Sequence, residues 1–171
     1  KGTRGQAVRA TLTLHFGDEK SLFGQEQVAG FAAALLDKGS ATMTREQVQD
    51  RLVELKTEIV FSGGSGRVTA TLSSRRDQLP AAIALLGELL RRPALPADAF
   101  DELRRQTLTA IEQQRHEPDA VAENALARHG NPYARGDVRH ERSYDEMIAD
   151  VNAVTIEQVR HFHANFYGAA K

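Results

Sequence analysis

The segment QVAGFAAALLDKGS, residues 27–40, carries two unlike faces of one predicted helix. Apolar residues recur at the helical positions i, i+3, i+4, i+7 and i+8, namely Val28, Phe31, Ala32, Leu35 and Leu36. This spacing predicts a helix that buries one face in a core. The neighbouring face begins with Gly30, Ala33 and Ala34 and is almost bare of side chains. Any fold of this chain must bury the first face. The second face continues to Asp37, and beyond that carboxylate it offers nearly nothing to a reaction.

Alternating residues elsewhere predict the strands of a small sheet. Apolar and polar residues alternate over residues 8–16, which predicts a half-buried strand. Residues 57–62 and 67–74 predict the two strands of a hairpin, because the turn-forming stretch GGSG lies between them. Gly39 is placed to end the preceding helix in a left-handed cap.

Most of the remaining sequence predicts helices. Capping boxes, in which Ser or Thr is followed three residues later by Glu or Gln, occur at 44–47, 143–146 and 155–158. Further apolar stripes comprise Leu79, Ile83, Leu86 and Leu90, then Phe100, Leu103, Leu108 and Ile111, and then Val121, Ala125 and Leu126. Pro118 interrupts the long helical pattern, and residues 130–137 predict a loop. This order of strands and helices predicts an α+β fold, with an antiparallel or mixed sheet and helices packed on one side.

Composition limits the classes of function. The 171 residues are 41% hydrophobic, which suits a single α+β domain over residues 1–171. A net charge of −1 does not indicate nucleic acid or an anionic membrane as a partner. The sequence contains no Cys, which excludes thiolate zinc sites, and no apolar run approaches the roughly 20 residues of a membrane span. Residue 1 is Lys, so we expect a fragment of a longer chain; a bacterial-type periplasmic and a cytoplasmic location both stay open.

The sequence lacks the common motifs of zinc peptidases, phosphate-binding loops and serine hydrolases. His161 and His163, the only histidines close together, are two residues apart and should point to opposite sides of a helix. The motifs H-E-x-x-H, H-x-x-E-H and G-x-S-x-G are absent, and SGGSG lacks the Lys of a phosphate-binding loop. Glu112 and Glu117 lie on a polar helix face without an evident acid–base partner. The motifs alone therefore indicate no active site.

Several stretches, taken in order, resemble the pitrilysin/insulinase family of zinc metallopeptidases over nearly the whole chain. They are GFAAALLDKGS, TEIVFSGGSGRVTATLSS, LPAAIALLGELLRRPALPADAFDELRRQ, NPYARGD and VTIEQVRHFHANFYG. In that family the catalytic helix carries H-x-x-E-H. Gly30 and Ala34 stand where the two histidines would be, and Ala33 stands where the Glu would be. Glu112 lies near the position of the family's third zinc ligand.

The resemblance implies the inactive half of a two-half enzyme, and more narrowly the first α/β domain of that half, with a LuxS/mitochondrial-processing-peptidase-like fold. It implies no catalytic, cofactor-binding or metal-binding residue in this chain, with Gly30, Ala33 and Ala34 as degenerate ligand positions. Zinc is expected in a catalytic half, in the same protein or in a separate homologous subunit. Together the halves would enclose an extended peptide.

Two other functions stay open, namely a structural scaffold subunit of the same family without peptidase activity and a peptide-binding module. The small residues at 30, 33 and 34 also suit a helix packed closely on a sheet or on another helix. The family's strand before residues 8–16 and its strand and second domain after FYG have no counterpart here, which implies a fragment of a half. An unpaired edge at residues 8–16 would favour self-association.

Overall fold

A computed structural model of the chain describes residues 6–64 and 66–168. Over these residues it has three strands and seven helices. They are β1 (Ala7–His15), α1 (Glu26–Ala34), α2 (Arg45–Glu54), β2 (Glu58–Gly64), β3 (Arg67–Arg75), α3 (Leu79–Arg91), α4 (Ala97–Arg115), α5 (Pro118–His129), α6 (Tyr144–Ala153) and α7 (Ile156–Phe166). Within these ranges, no helix combines the length and the apolar composition that crossing a bilayer requires.

The three strands form one antiparallel sheet in the order β1-β3-β2. The predicted hairpin is confirmed, since β2 pairs with β3 from Glu58 opposite Ser73 to Gly64 opposite Arg67. Alternate residues of the central strand β3 are buried on one face, beginning at Val68. The predicted α+β fold is therefore confirmed, with the sheet antiparallel throughout the described strands.

The prediction that strand 8–16 is half-buried is wrong, although the strand itself forms as β1. Most of its residues are exposed, and Leu12 keeps 41% of its surface in contact with solvent. The reason is position in the sheet: α1 packs on β2 and α3 packs on β3, whereas β1 lies at the edge beyond β3. The predicted self-association through this edge stays a prediction.

Helix α1 lies at the centre of the core, as its apolar stripe predicts. All five stripe residues are buried, and α1 packs between β2 and α7. Its Phe31 meets Phe100 of α4 edge-on, with ring centroids 5.2 Å apart. The predicted end of the helix at Gly39 is wrong: α1 ends at Ala34, because the next residues form short turns such as Lys38 N–H to the Leu35 carbonyl. Gly39 has φ of +122° in the loop that follows.

The other helix signals mostly agree with the structure. All three predicted capping boxes form, at Thr44, Ser143 and Thr155, and the long helical pattern breaks at Pro118 between α4 and α5. The prediction that the apolar stripe of α5 is buried is wrong, since Leu126 is 76% exposed and no α5 residue is buried. Helix α5 contacts α4 on one side, and its apolar positions face outward.

An aromatic cluster joins the end of β1 to the last helix. Phe16 packs against Phe162, Phe166 and Tyr167, with ring centroids 5.1 to 5.7 Å away. His163 is buried beside this cluster, and its Nε2 donates a hydrogen bond of 2.8 Å to the Leu90 carbonyl. Burial lowers the pKa of His163 and raises the pKa of Tyr167 well above its ordinary value, because the charged form of each would lose its hydration.

We predict that burial of neutral His163 makes the domain less stable as the pH falls below about 6.5. Because the folded-state pKa of His163 is lowered, the unfolded chain binds the proton more readily than the folded chain. The free energy of unfolding should therefore decrease below the unfolded-state pKa. Urea unfolding of the wild type and of His163→Gln at about pH 7.5 and about pH 5 measures this effect.

Gln is chosen at position 163 because it keeps an N–H donor for the Leu90 carbonyl without a titrating ring. The expected result is a smaller loss of stability between the two pH values in His163→Gln than in the wild type. His161→Gln, on the exposed side of α7, is the matched control and should behave like the wild type. Equal pH dependence in all three proteins would show that His163 does not contribute.

Candidate functional site

The three degenerate ligand positions lie in different surroundings on α1. Gly30 is half-buried, and a Cβ placed on it would meet no neighbouring atom within 4 Å. Ala33 is buried, with 2% of its surface exposed. Ala34 is half-buried. The bare face is therefore open at its first position and closed at its second.

The closed position is a direct contact between α1 and β2. A Cβ placed on Gly63 would lie 2.9 Å from the Cβ of Ala33 and 3.0 Å from the carbonyl oxygen of Arg67. No side chain larger than hydrogen fits at Gly63 without displacement of one of these atoms. The expectation of close packing is therefore correct at Ala33 and wrong at Gly30.

A cleft of about 330 Å³ opens beside this contact, between α1, β2 and α4. We call it the β2 cleft. Its lining residues are Ala33, Ala34, Asp37, Lys38, Arg45, Ile59, Val60, Phe61, Ala99, Glu102, Leu103 and Gln106. Two of the three degenerate ligand positions thus line an open space, with no group on either of them that reacts or coordinates.

The β2 cleft is bordered by a free strand edge. Strand β2 pairs with β3 on one side, and no strand in the described part of the chain pairs with its other side. Val60 in the middle of β2 is 51% exposed. Such an edge presents unpaired backbone N–H and C=O groups, which suit an extended peptide backbone.

The cleft does not fit a zinc ion. Catalytic zinc takes three protein ligands and a water, and positions 30, 33 and 34 supply none. The two carboxylates of the cleft, on Asp37 and Glu102, are each paired with a base. Within residues 6–64 and 66–168, no three His, Cys, Asp or Glu side chains come together as a metal site. The expected absence of catalytic and metal-binding residues stays a prediction.

Glu112 lies outside the β2 cleft, and its correspondence with the family's third zinc ligand stays a prediction. It forms an ion pair of 3.5 Å with Arg115 on the exposed surface of α4, and it does not line the β2 cleft. The carboxylate that α4 places in the cleft belongs to Glu102, which is about 15 Å earlier along the helix. A sequence signal for Glu102 exists, because Ala99, Glu102, Leu103 and Gln106 share one helix face at i, i+3, i+4 and i+7.

The other residues singled out in the sequence have structural roles. His161 and His163 point apart as predicted, the first toward Asn165 and the second into the core. Ser40, in the segment after α1, donates a hydrogen bond of 2.7 Å to Glu88 of α3. Hydrogen bonds from Thr42 and Ser40 lower the pKa of Glu88 and hold this loop against α3.

Comparison with known proteins shows similarity at the level of structure. No family model and no curated protein sequence matches the chain. The peptidase M16 inactive domain from Pseudomonas fluorescens aligns with a TM-score of 0.78 at 21% identity, over 95% of this chain and 39% of that one. A protease from Helicobacter pylori aligns with a TM-score of 0.75 at 12% identity, over 95% of this chain and 38% of that one. Pitrilysin aligns with a TM-score of 0.68 at 18% identity, over 97% of this chain and 18% of that one.

The resemblance drawn from the sequence is thus confirmed as a likeness of fold. This chain corresponds to well under half the length of each of these proteins. The described residues have the fold of the peptidase M16 inactive domain, which pitrilysin shares.

We predict that Ala33→Leu destabilises the domain and that Ala34→Leu does so much less. Leu at position 33 overpacks the contact with Gly63, at a cost of about 1–3 kcal/mol in the free energy of unfolding. Leu at position 34 extends into the cleft, so its effect should stay within about 0.5 kcal/mol. Urea unfolding of both variants measures the difference. Equal midpoints for the two variants would contradict the close approach of α1 to β2.

Proposed function

We propose that this chain is a non-catalytic domain of a zinc-dependent endopeptidase of the pitrilysin/insulinase type, and that it helps to enclose the peptide substrate opposite a zinc-bearing half. The observation that carries the proposal is the position of the β2 cleft. The free edge of β2 borders it, and the bare face of α1 forms one wall. In a catalytic half the equivalent face would carry the ligands; here it leaves room.

The residues of the cleft support binding rather than reaction. The backbone of β2 provides hydrogen-bond donors and acceptors along one line, and Ile59 and Phe61 place apolar surface beside it. Ala33 and Ala34 keep the space above the strand free of side chains. The metal and its general base belong to the partner, in the same protein or in a homologous subunit, so this chain contributes shape and backbone contacts.

A second candidate function is a scaffold subunit of the same family without peptidase activity. The observation in its favour is apolar surface away from the cleft: Leu12 on β1 and Leu126 on α5 are both exposed. Surfaces of this kind commonly become covered in larger assemblies. A stand-alone peptide-binding module would use the β2 cleft itself. The peptide titration below separates the scaffold function from the other two. A zinc-bearing half in the same protein, or in a subunit that binds it, would favour the first function over a stand-alone module.

We predict that the chain holds no stoichiometric zinc and hydrolyses no peptide by itself. Metal analysis after dialysis should find far less than one zinc per chain. The double variant Gly30→His/Ala34→His is the positive control, because histidines at i and i+4 share one helix face. Gly30 has no neighbouring atom within 4 Å of an added Cβ, and Ala34 lines the β2 cleft. The variant should retain more zinc than the wild type. One zinc retained per wild-type chain, with peptidase activity that a chelator removes, would contradict the proposal.

We predict that an extended peptide binds along the free edge of β2. Titration of the isotope-labelled chain with a seven-residue peptide, the length of β2, should shift the amide resonances of Glu58–Gly64 and of the α4 residues lining the cleft. The same peptide N-methylated at alternate residues should bind at least about tenfold more weakly, because two or three backbone hydrogen bonds are lost. Resonance shifts confined to other elements, or no binding, would favour the scaffold function instead.

A further inference from the structure

The β2 cleft contains four charged side chains, and each is paired within the cleft. Lys38 Nζ lies 3.0 Å from Oδ1 of Asp37. Arg45 Nη1 lies 3.3 Å from Oε2 of Glu102. The lining therefore carries two acids and two bases, and their formal charges cancel.

The Arg45–Glu102 pair occupies a special position, because it lies between two cavities. Arg45 begins α2 and Glu102 belongs to α4, so the pair connects two helices. Both residues also line a larger neighbouring cavity, of about 780 Å³, next to residues 38–47. The formal charges of that cavity also cancel, because its lining contains three bases and three acids, namely Lys38, Arg45, Arg105, Glu46, Asp98 and Glu102.

Stability does not account for this pair. Arg45 and Glu102 each keep nearly half of their side-chain surface exposed, at 48% and 45%. Exposed ion pairs contribute at most about 1 kcal/mol to folding. Charges that line a binding surface chiefly decide which partners are accepted, because unpaired charges attract opposite charges and repel like ones. Pairing the charges within the wall removes that discrimination.

We propose that the β2 cleft binds extended peptides through their backbone without preference for their charge, and that the Arg45–Glu102 pair is the specificity-determining element that maintains this indifference. This inference rests on the proposed function of the cleft and adds the substrate class. The substrates are extended segments of neutral, acidic or basic composition. Either residue of the pair, left alone, would turn the cleft into a charge-selective one.

The test compares three seven-residue peptides that differ only at two central residues, which are Ser-Ser, Glu-Glu or Lys-Lys, with both ends blocked. Affinities come from amide resonance shifts of β2 in the isotope-labelled chain, and the same spectra show that each variant is folded. In the wild type the three affinities should agree within about threefold. In Glu102→Gln the Glu-Glu peptide should bind about threefold to tenfold more tightly than the Lys-Lys peptide, and Arg45→Gln should reverse this order.

Asp101→Asn is the matched control. It removes one carboxylate that is also paired on α4, with Arg104 at 2.8 Å, from a residue that does not line the β2 cleft. It should leave the three affinities as in the wild type. The preferences of the two cleft variants should also disappear at about 1 M salt, where the screening length falls to about 3 Å.

Two results would overturn the inference and leave the proposed function intact. One is a wild-type preference of more than about tenfold for one charged peptide, and the other is equal affinities for all three peptides in both cleft variants. If none of the peptides shifts the resonances of β2, the proposed function fails, and the inference fails with it.

Discussion

The contact between Ala33 of α1 and Gly63 of β2 is the constraint on which the rest of the domain depends. Only the smallest side chains permit this helix to lie so near the backbone of the strand. With α1 held there, the helix also packs against α7, and its apolar stripe closes the core. The depth of α1 in the core therefore follows from an absence of side-chain volume, and residue size matters here more than hydrophobicity.

Two long connections, residues 16–25 and 130–143, stabilise each other at one end of α1. The amide of Gly24 donates a hydrogen bond of 2.7 Å to the carbonyl of Gly136, and Phe23 lies directly over Gly136. Arg142, whose side chain is only 14% exposed, forms ion pairs with Glu26 at the start of α1 and with Asp150 of α6. These contacts join the start of α1 to the loop before α6 and to α6 itself, and none of these residues lines the β2 cleft.

The same small residues serve packing and the proposed binding site. Ala33 closes the gap to the strand, whereas Ala34, one residue later, lines the open cleft. Consecutive side chains of an α-helix are rotated by about 100° about the helix axis, so Ala33 can contact the strand while Ala34 lines the cleft. The resemblance identified these positions as emptied ligand sites, and the packing argument identified them as a close approach. The structure shows the close approach at Ala33, and the interpretation as emptied ligand sites stays a prediction.

The sequence by itself determined the elements whose signals are local. Thr44, Ser143 and Thr155 start their helices because capping is completed within four residues. The β2–β3 hairpin is equally local, although Gly63 and Gly64 pair with β3 as part of β2 and do not belong to the predicted turn. It also determined which positions lack ligands, since Gly and Ala carry none in any fold. The order of motifs was sufficient to indicate the fold.

Only the tertiary structure decided which apolar faces become buried. The alternation of β1 and the stripe of α5 both predict burial, yet Leu12 and Leu126 are exposed, because no described helix or strand covers them. The tertiary structure also decided that α4 places Glu102, and not Glu112, in the β2 cleft. This depends on which turn of α4 lies opposite α1, and that is set by packing between segments nearly 70 residues apart. The periodicity of apolar residues predicts that an element has an apolar face, and the packing of neighbouring elements decides whether that face is buried.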